Sequence, residues 1–210
     1  MRKFIWIIAL VAAGLGTYLI SCNGGSDQPA TPEPPKQQPV AQSKHSAAFN
    51  ESVSKAMADY AQLQETLVNW DSASVKASAA QLQASLKGIA FSELQKDTAI
   101  YQTAASYGEM FDGDLTAMQA APNLTEARRS FHSLSQNLYD LLRVIRYDAS
   151  AIYLQECPMA FGKDEDEPGV WLSNTSAVRN PYMGLRHPRY GKTMLECGGP
   201  KDSLQFAPNK

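Results

Sequence analysis

The chain has 210 residues, with 19 lysines and arginines against 21 aspartates and glutamates, and 44% of its residues are hydrophobic. This length fits one modest soluble domain plus some sequence outside it, and it excludes a two-domain enzyme. The net charge of −2, without a long basic run, gives little electrostatic basis for binding nucleic acid, so we expect no nucleic-acid partner.

The first 22 residues have the order of a bacterial export signal. Arg2 and Lys3 precede the apolar run Phe4–Ile20, which is followed by Ser21 and Cys22. The last four residues of this segment resemble the lipobox of bacterial lipoproteins, in which the cysteine is lipidated and the chain is cut before it. The alternative is an uncleaved membrane anchor, because 17 mostly apolar residues lie at the short edge of what spans a bilayer.

The export signal predicts a protein outside the cytoplasm, and lipidation of Cys22 would tether it to a membrane. The tether is firm because each buried acyl methylene contributes about 0.8 kcal/mol to membrane binding. Cleavage removes residues 1–21 with two basic side chains and leaves a mature net charge of −4, from 17 basic and 21 acidic residues. Asn23 is not the aspartate that signals inner-membrane retention in enteric bacteria, which favours the outer membrane. Residues 23–45 hold five prolines and no Phe, Trp or Tyr, so 22–45 is expected to be a lipidated, disordered linker.

Apolar residues spaced alternately by three and four predict four helices between residues 46 and about 148. These stripes run from Phe49 to Trp70, from Val75 to Ile89, from Ile100 to Met118 and from Leu124 to Ile145. Three helices have candidate N-caps: Asp71 for the second, Ser92 with Gln95 for the third, and Asn123 with Glu126 for the fourth. Short connections predict a mainly α fold, an antiparallel four-helix bundle over 46–150.

Four polar residues of this region are expected to have ordinary roles. His45, at the end of the linker, is expected to be solvated. His132 is expected to be a surface or hydrogen-bonded histidine. Arg128 and Arg129 are expected to form a solvated helix face, although they could meet an anionic partner.

Sulfur is concentrated after residue 150. Two cysteines, Cys157 and Cys197, and three methionines, Met159, Met183 and Met194, lie between positions 157 and 197. The helical period stops here, and prolines and glycines become frequent. This predicts short strands and turns, an irregular cap over 151–210 that packs on the bundle and completes one domain from 46 to 210.

The spacing of the sulfur residues predicts a site for one soft metal ion. Thiolates and thioethers are soft donors, and a set of two cysteines and two methionines prefers Cu(I) or Ag(I) to zinc. Cys157 and Met159 would project to the same side of an extended segment, while Met194 and Cys197 suit a turn. The Cys-x-x-Cys knuckles of zinc sites are absent from the sequence.

The alternative is a purely structural disulfide between Cys157 and Cys197. An exported protein with two remaining cysteines commonly joins them, and this bond would close a loop of about 40 residues, a stabilisation of roughly 4 kcal/mol. Met159 and Met194 would then fill the core and Trp171 would be a hydrophobic plug. The two states could also alternate with redox conditions.

Motifs in the cap resemble those of a known family. They are Cys157-Pro-Met-Ala, Trp171-Leu-Ser, Asn180-Pro-Tyr with Gly184, and Met194-Leu-Glu-Cys-Gly. The family is a bacterial domain of unknown function, found in free-standing exported lipoproteins and fused to the periplasmic adaptor subunits of copper and silver efflux pumps. The resemblance implies soft-metal handling with an efflux adaptor or another envelope protein as partner. It extends over nearly all of 50–200.

One departure from the family concerns the link between Met183 and Met194. This link is longer than in the family and contains His187, so Met183 and His187 are weaker candidates for metal ligands. The acidic run at 163–167 lacks the ligand spacing of a calcium loop and is expected to be a solvated loop. No nucleophile elbow, Walker A loop or HExxH helix occurs, and the sequence has three histidines, so we expect no enzyme.

Overall fold

The computed structural model describes residues 44–162 and 168–206. Four long helices come first: α1 (Ala47–Val68), α2 (Ser72–Lys87), α3 (Thr98–Ala120) and α4 (Leu124–Val144), with a 3-10 helix at Phe91–Lys96 between α2 and α3. Three strands follow: β1 (Ile152–Cys157), β2 (Gly169–Ser173) and β3 (Gly199–Leu204). The predicted fold class, an antiparallel four-helix bundle with a short-strand cap, is confirmed.

Side-chain caps start all four long helices, and those of α1, α2 and α4 come first. The Ser46 hydroxyl accepts from the backbone N–H of Phe49, the Asp71 carboxylate accepts from Ser74, and the Asn123 amide oxygen accepts from Glu126. Each cap satisfies a backbone donor that has no partner within its helix. The stripes predicted from the sequence form most of the core. The largest fully buried side chains in the bundle are those of Phe49, Tyr60, Phe111, Phe131 and Tyr139, followed by several leucines.

Two details of the helical prediction are wrong. The third long helix does not open at Ser92, which lies in the 3-10 helix. It opens at Thr98, because the Asp97 carboxylate accepts from the N–H of Ile100 and the extended backbone of Asp97 separates the two helices. Trp70 lies beyond the end of α1 with a φ of 59°, so it does not continue the buried stripe of that helix.

The three strands form an antiparallel sheet in the order β2-β1-β3, as expected of short strands packed on the bundle. β2 lies against α4, and Trp171 in β2 is completely buried. The Tyr60 hydroxyl accepts from the N–H of Leu172 at 2.9 Å and also contacts the Ser135 hydroxyl at 2.7 Å. These bonds fix the sheet to α1 and α4.

The end of the expected linker belongs to the folded domain. The N–H of Lys44 donates to the Asp148 carboxylate at 2.8 Å, and the His45 ring bonds to the Ile145 carbonyl at 2.8 Å and stacks on Phe49. His45 is therefore packed and not solvated, which corrects the expectation. Across the described part of the chain, the helices are too short or too polar to cross a bilayer.

Candidate functional site

The fold brings Cys157 and Cys197 together. Cys157 is the last residue of β1 and is completely buried, whereas Cys197 lies two residues before β3 and is half-buried. Because β1 pairs with β3, the two sulfur atoms come to 3.3 Å from each other, although 40 positions separate them in the sequence. Both are free thiols. The predicted pairing of these two cysteines in space is what either a soft-metal site or a disulfide requires.

Asn180 positions the segment that carries Cys197. Its N–H donates to the Leu195 carbonyl at 2.9 Å, and its side-chain amide donates to the Cys197 carbonyl at 2.8 Å. The amide oxygen of Asn180 accepts from the N–H groups of Tyr182 and Met183. The Asn180 side chain is fully buried and bonded at both ends, so the Asn-Pro-Tyr motif holds the second thiol in place.

Gly198 allows β3 to lie close to β1 beside the thiols. Its φ is +106°, and a Cβ at this position would collide with the carbonyl oxygen of Glu156. Gly199 has nothing within 4 Å of the corresponding position. Close approach of the two backbones therefore depends on Gly198 and not on its neighbour.

Gly198→Ala is therefore expected to destabilise the domain by about 1–3 kcal/mol, as strained backbone conformations do, and to separate the two thiols. Urea unfolding monitored by circular dichroism measures the first effect, and the rate of disulfide formation with oxidised glutathione measures the second. Gly199→Ala is the matched control and should change neither. Equal behaviour of the two variants would contradict the assigned role of Gly198.

Burial sets the protonation of the partly exposed thiol. Desolvation, together with the nearby Cys157 thiol, raises the pKa of Cys197 to about 11. The Cys197 thiol is therefore protonated at neutral pH, unlike the low-pKa thiolates of catalytic cysteines. A metal ion binding here would have to displace that proton.

Of the other predicted ligands, Met194 lies in the same turn as Cys197, whereas Met159, Met183 and His187 line a separate cavity. Met194 lies in the turn before Cys197, and its carbonyl accepts from the Cys197 N–H at 3.1 Å, as its spacing predicted. Met159 lies in a turn just after β1 ends, so it is not on an extended segment with Cys157 as expected. It lines a separate cavity with Met183 and His187, and neither cysteine lines that cavity. Histidine, cysteine and carboxylate side chains form no cluster of three that could hold a metal ion within the described ranges.

Arg128 is buried, although the sequence predicts a solvated helix face for it. Its side chain is 3% exposed, and it donates to the carbonyls of Leu67 and Pro181 at 2.9 and 2.8 Å. Its guanidinium lies 4.1 Å from the ring centroid of Trp70. The indole N–H of Trp70 in turn donates to the Met183 carbonyl at 2.9 Å. Since both carbonyls come from distant segments, no local pattern in the sequence could have revealed this role.

His132 is hydrogen-bonded, as expected, and its position makes the fold sensitive to acid. Its Nδ1 accepts from the N–H of Val170 on the outer side of β2 at 3.1 Å. Desolvation lowers the pKa of His132 below its usual 6.5, with Lys201 and Arg129 acting in the same direction and Glu156 opposing. The folded protein therefore favours neutral His132, since a protonated Nδ1 could not accept this bond.

Acidification from pH 7 to about pH 5 is expected to lower the free energy of unfolding. The stabilisation from neutral His132 is complete above pH 6.5, the unfolded value, and is lost as the pH falls from there toward the lowered pKa of the folded state. Chemical denaturation at several pH values measures this loss. His132→Gln keeps an acceptor for Val170 but does not titrate, so it should show a smaller loss; an unchanged pH dependence would exclude His132 as a source.

Three predicted features lie outside the described residues. These are the export signal at 1–21, the lipidation site Cys22 with most of the linker, and the acidic run at 163–167. Their assignments rest on the sequence, and they stay predictions.

Comparison with known proteins gives one match. The model of a family described as a protein of unknown function, DUF3347, matches residues 56–149, a little under half of the chain. The match covers most of α1 and all of α2 to α4, and it ends before β1, so the motifs of the cap lie outside it. No curated protein and no solved structure matches the chain. The helical bundle is therefore similar to a domain of unknown function.

Proposed function

We propose that this protein is an exported, lipid-anchored carrier of a soft monovalent ion, Cu(I) or Ag(I), held by Cys157 and Cys197. The observation that carries the proposal is the 3.3 Å separation of two free thiols that lie far apart in the sequence. The role is binding and not catalysis. The donor set, the distance between the two sulfurs and the export signal support this role.

The donor set fits a soft ion. Two thiolates bring two negative charges and polarisable sulfur to a small space, which favours Cu(I) and Ag(I) over harder cations. With metal–sulfur bonds of about 2.3 Å, the length seen for zinc, two sulfurs around one ion can be at most about 4.6 Å apart. The observed 3.3 Å is shorter. An ion at this spacing would have both sulfurs on one side and its opposite side open to another donor.

Met194 is the better placed of the two proposed secondary donors. It belongs to the same turn as Cys197, whose N–H bonds the Met194 carbonyl. Met159, with the weaker candidates Met183 and His187, lines the cavity that also contains the buried cation Arg128. A positive guanidinium opposes a metal cation nearby, so these three side chains are less suited to the role.

The cellular setting is also a proposal. A basic start, an apolar run and a lipobox-like end of the leader support lipidation of Cys22 and anchoring in the cell envelope, with the outer membrane favoured by Asn23. Association with a heavy-metal efflux adaptor rests on the resemblance of the cap motifs. The family match to the bundle is consistent with that resemblance, but its description names no function.

The second candidate is an interaction module for another envelope protein, stabilised by a Cys157–Cys197 disulfide. The same sulfur contact favours it, because 3.3 Å leaves little more than 1 Å to close before the atoms reach the bond length of about 2.05 Å. Formation of this bond by exchange with an external disulfide would transfer two electrons and the two thiol protons to that disulfide, which becomes two thiols. Under this candidate the oxidised state is the working state.

Native mass spectrometry with Ag(I) separates the two candidates. The reduced protein should take up one silver ion with displacement of thiol protons, and the Cys157→Ser/Cys197→Ser variant should take up none under the same conditions. Thiol titration of protein isolated without reductant measures how much of the pair is already oxidised. If the reduced wild type takes no more silver than the variant and no free thiol is found without reductant, the disulfide module is the correct function.

Anchoring has its own test, because Cys22→Ser should block lipidation and processing and leave unmodified precursor. Mass spectrometry of protein extracted from membranes measures the mass and the N-terminus of both forms. The wild type should begin at a lipidated Cys22. Finding residues 1–21 still attached in the wild type would show that the leader is an uncleaved anchor.

A further inference from the structure

Arg128 is a buried cation without a matching anion. In residues 44–162 and 168–206 its hydrogen-bond acceptors are the backbone carbonyls of Leu67 and Pro181, and no carboxylate forms an ion pair with it. These two bonds use two of the five N–H groups of a guanidinium. Burial lowers the pKa of Arg128 only to about 10, so the side chain stays positively charged at neutral pH. A buried charge of this kind is costly unless an anion accompanies it.

Arg128 lines a cavity of about 230 Å³. The wall combines aromatic rings with thioethers, from Trp70, Phe161, Tyr182, Tyr190, Met159 and Met183. The Trp70 ring is held by its stacking on Arg128 and by its bond to the Met183 carbonyl. The lining therefore divides evenly between apolar and polar surface, and Arg128 is its buried positive charge.

Two further side chains in the cavity lining favour a negative ligand. Nδ1 of His187 accepts from the N–H groups of Arg189 and Tyr190 at 3.1 and 3.3 Å, so its neutral ring carries the proton on Nε2 and acts as a donor. Arg189 also lines the cavity, with its guanidinium 5.3 Å from the Tyr190 ring centroid. Carboxylate side chains are absent from the described lining. Arg128 and Arg189 thus bring positive charge to the lining, and His187 adds an N–H donor.

We propose that this cavity binds a small monocarboxylic acid with an aromatic ring, its carboxylate at Arg128 and its ring among the aromatic side chains. The volume lies below the roughly 300–1,000 Å³ of sites for drug-sized ligands, while a cavity of about 150 Å³ already accepts benzene. A ring bearing one carboxylate fits between these limits. A charge-assisted, bidentate contact is the geometry that arginine prefers with a carboxylate. The site differs from the thiol pair, which does not line this cavity.

Three probes of similar size and different charge test the proposal. Benzoate, benzamide and benzylamine can be titrated into the protein, with ligand-observed NMR and tryptophan fluorescence as readouts, since Trp70 is part of the wall. Benzoate should bind, benzamide should bind at least about tenfold more weakly, and benzylamine should not bind. Equal binding of benzoate and benzamide, preference for benzylamine, or no benzoate binding would overturn the proposal.

Two sets of variants place the ligand in this cavity. Arg128→Met should reduce benzoate affinity by at least about tenfold. Since Arg128 also bonds two carbonyls, a second variant avoids the core: Thr125 is exposed on the first turn of α4 and lines the cavity. Thr125→Glu adds a negative charge there and should weaken benzoate binding severalfold, whereas Thr125→Gln should not. Unchanged benzoate binding in Thr125→Glu would show that the acid binds elsewhere.

Discussion

Leu134→Ala and Leu138→Ala are each expected to lower the free energy of unfolding by about 2–5 kcal/mol. Both side chains lie on α4 and are at most 1% exposed. Truncation removes buried apolar surface and leaves a cavity that neighbouring helices fill only in part. Urea or guanidinium denaturation followed by circular dichroism measures the change.

Gln136 on the same helix is exposed, and Gln136→Ala is the matched control. A surface change of this kind should alter the free energy of unfolding by no more than about 0.5 kcal/mol. If both leucine variants unfold at the wild-type denaturant concentration, α4 does not pack as the structure has it.

Cys157→Ser or Cys197→Ser is expected to weaken Cu(I) binding far more than Met194→Leu, and Met194→Leu more than Met159→Leu. A thiolate gives the cation a full negative charge, whereas a thioether gives it a lone pair. Met159 lies on the separate cavity, so its loss should matter least. Zinc should compete poorly in all variants. Titrations under anaerobic, reducing conditions measure this order, and equal losses for cysteine and methionine variants would contradict it.

Most of the bundle could be predicted from the sequence because its signals are local. Apolar residues repeat with the period of a helix, and Asp71 and Asn123 each bond a backbone N–H three positions away. The start of the third helix was predicted at the wrong residue because two local signals compete there. Ser92 and Asp97 are both good N-cap residues within a few positions of each other, and Asp97 makes the bond.

The cap could be predicted only in part because its contacts are long-range. The cysteines are paired through the β1–β3 register, and two cysteines in an exported chain suggest each other as partners. The position of Met159 depends on where β1 ends. Because the strand stops at Cys157 and Pro158 begins a turn, the alternation of an extended segment does not continue to Met159.

Arg128 shows the largest difference between pattern and structure. Two adjacent arginines on a helix are usually solvated, but here Arg128 receives its environment from the end of α1 and from the Pro181 segment. Trp70, whose φ of 59° ends the helical path of α1, provides the surface on which the guanidinium stacks. Leu67, Trp70 and Pro181 all lie more than 50 positions from Arg128 in the sequence. Only the folded chain brings them together.

The most direct test of the proposed soft-ion site is competition with a colorimetric Cu(I) chelator under anaerobic, reducing conditions. The reduced wild type should withdraw about one equivalent of Cu(I) from the chelator, and Cys157→Ser/Cys197→Ser should withdraw almost none. Wild-type protein whose two thiols have been oxidised to a disulfide should behave like the double variant. If reduced wild type and double variant compete equally weakly, the protein does not handle copper through these thiols, and the disulfide-stabilised module takes the place of the metal site.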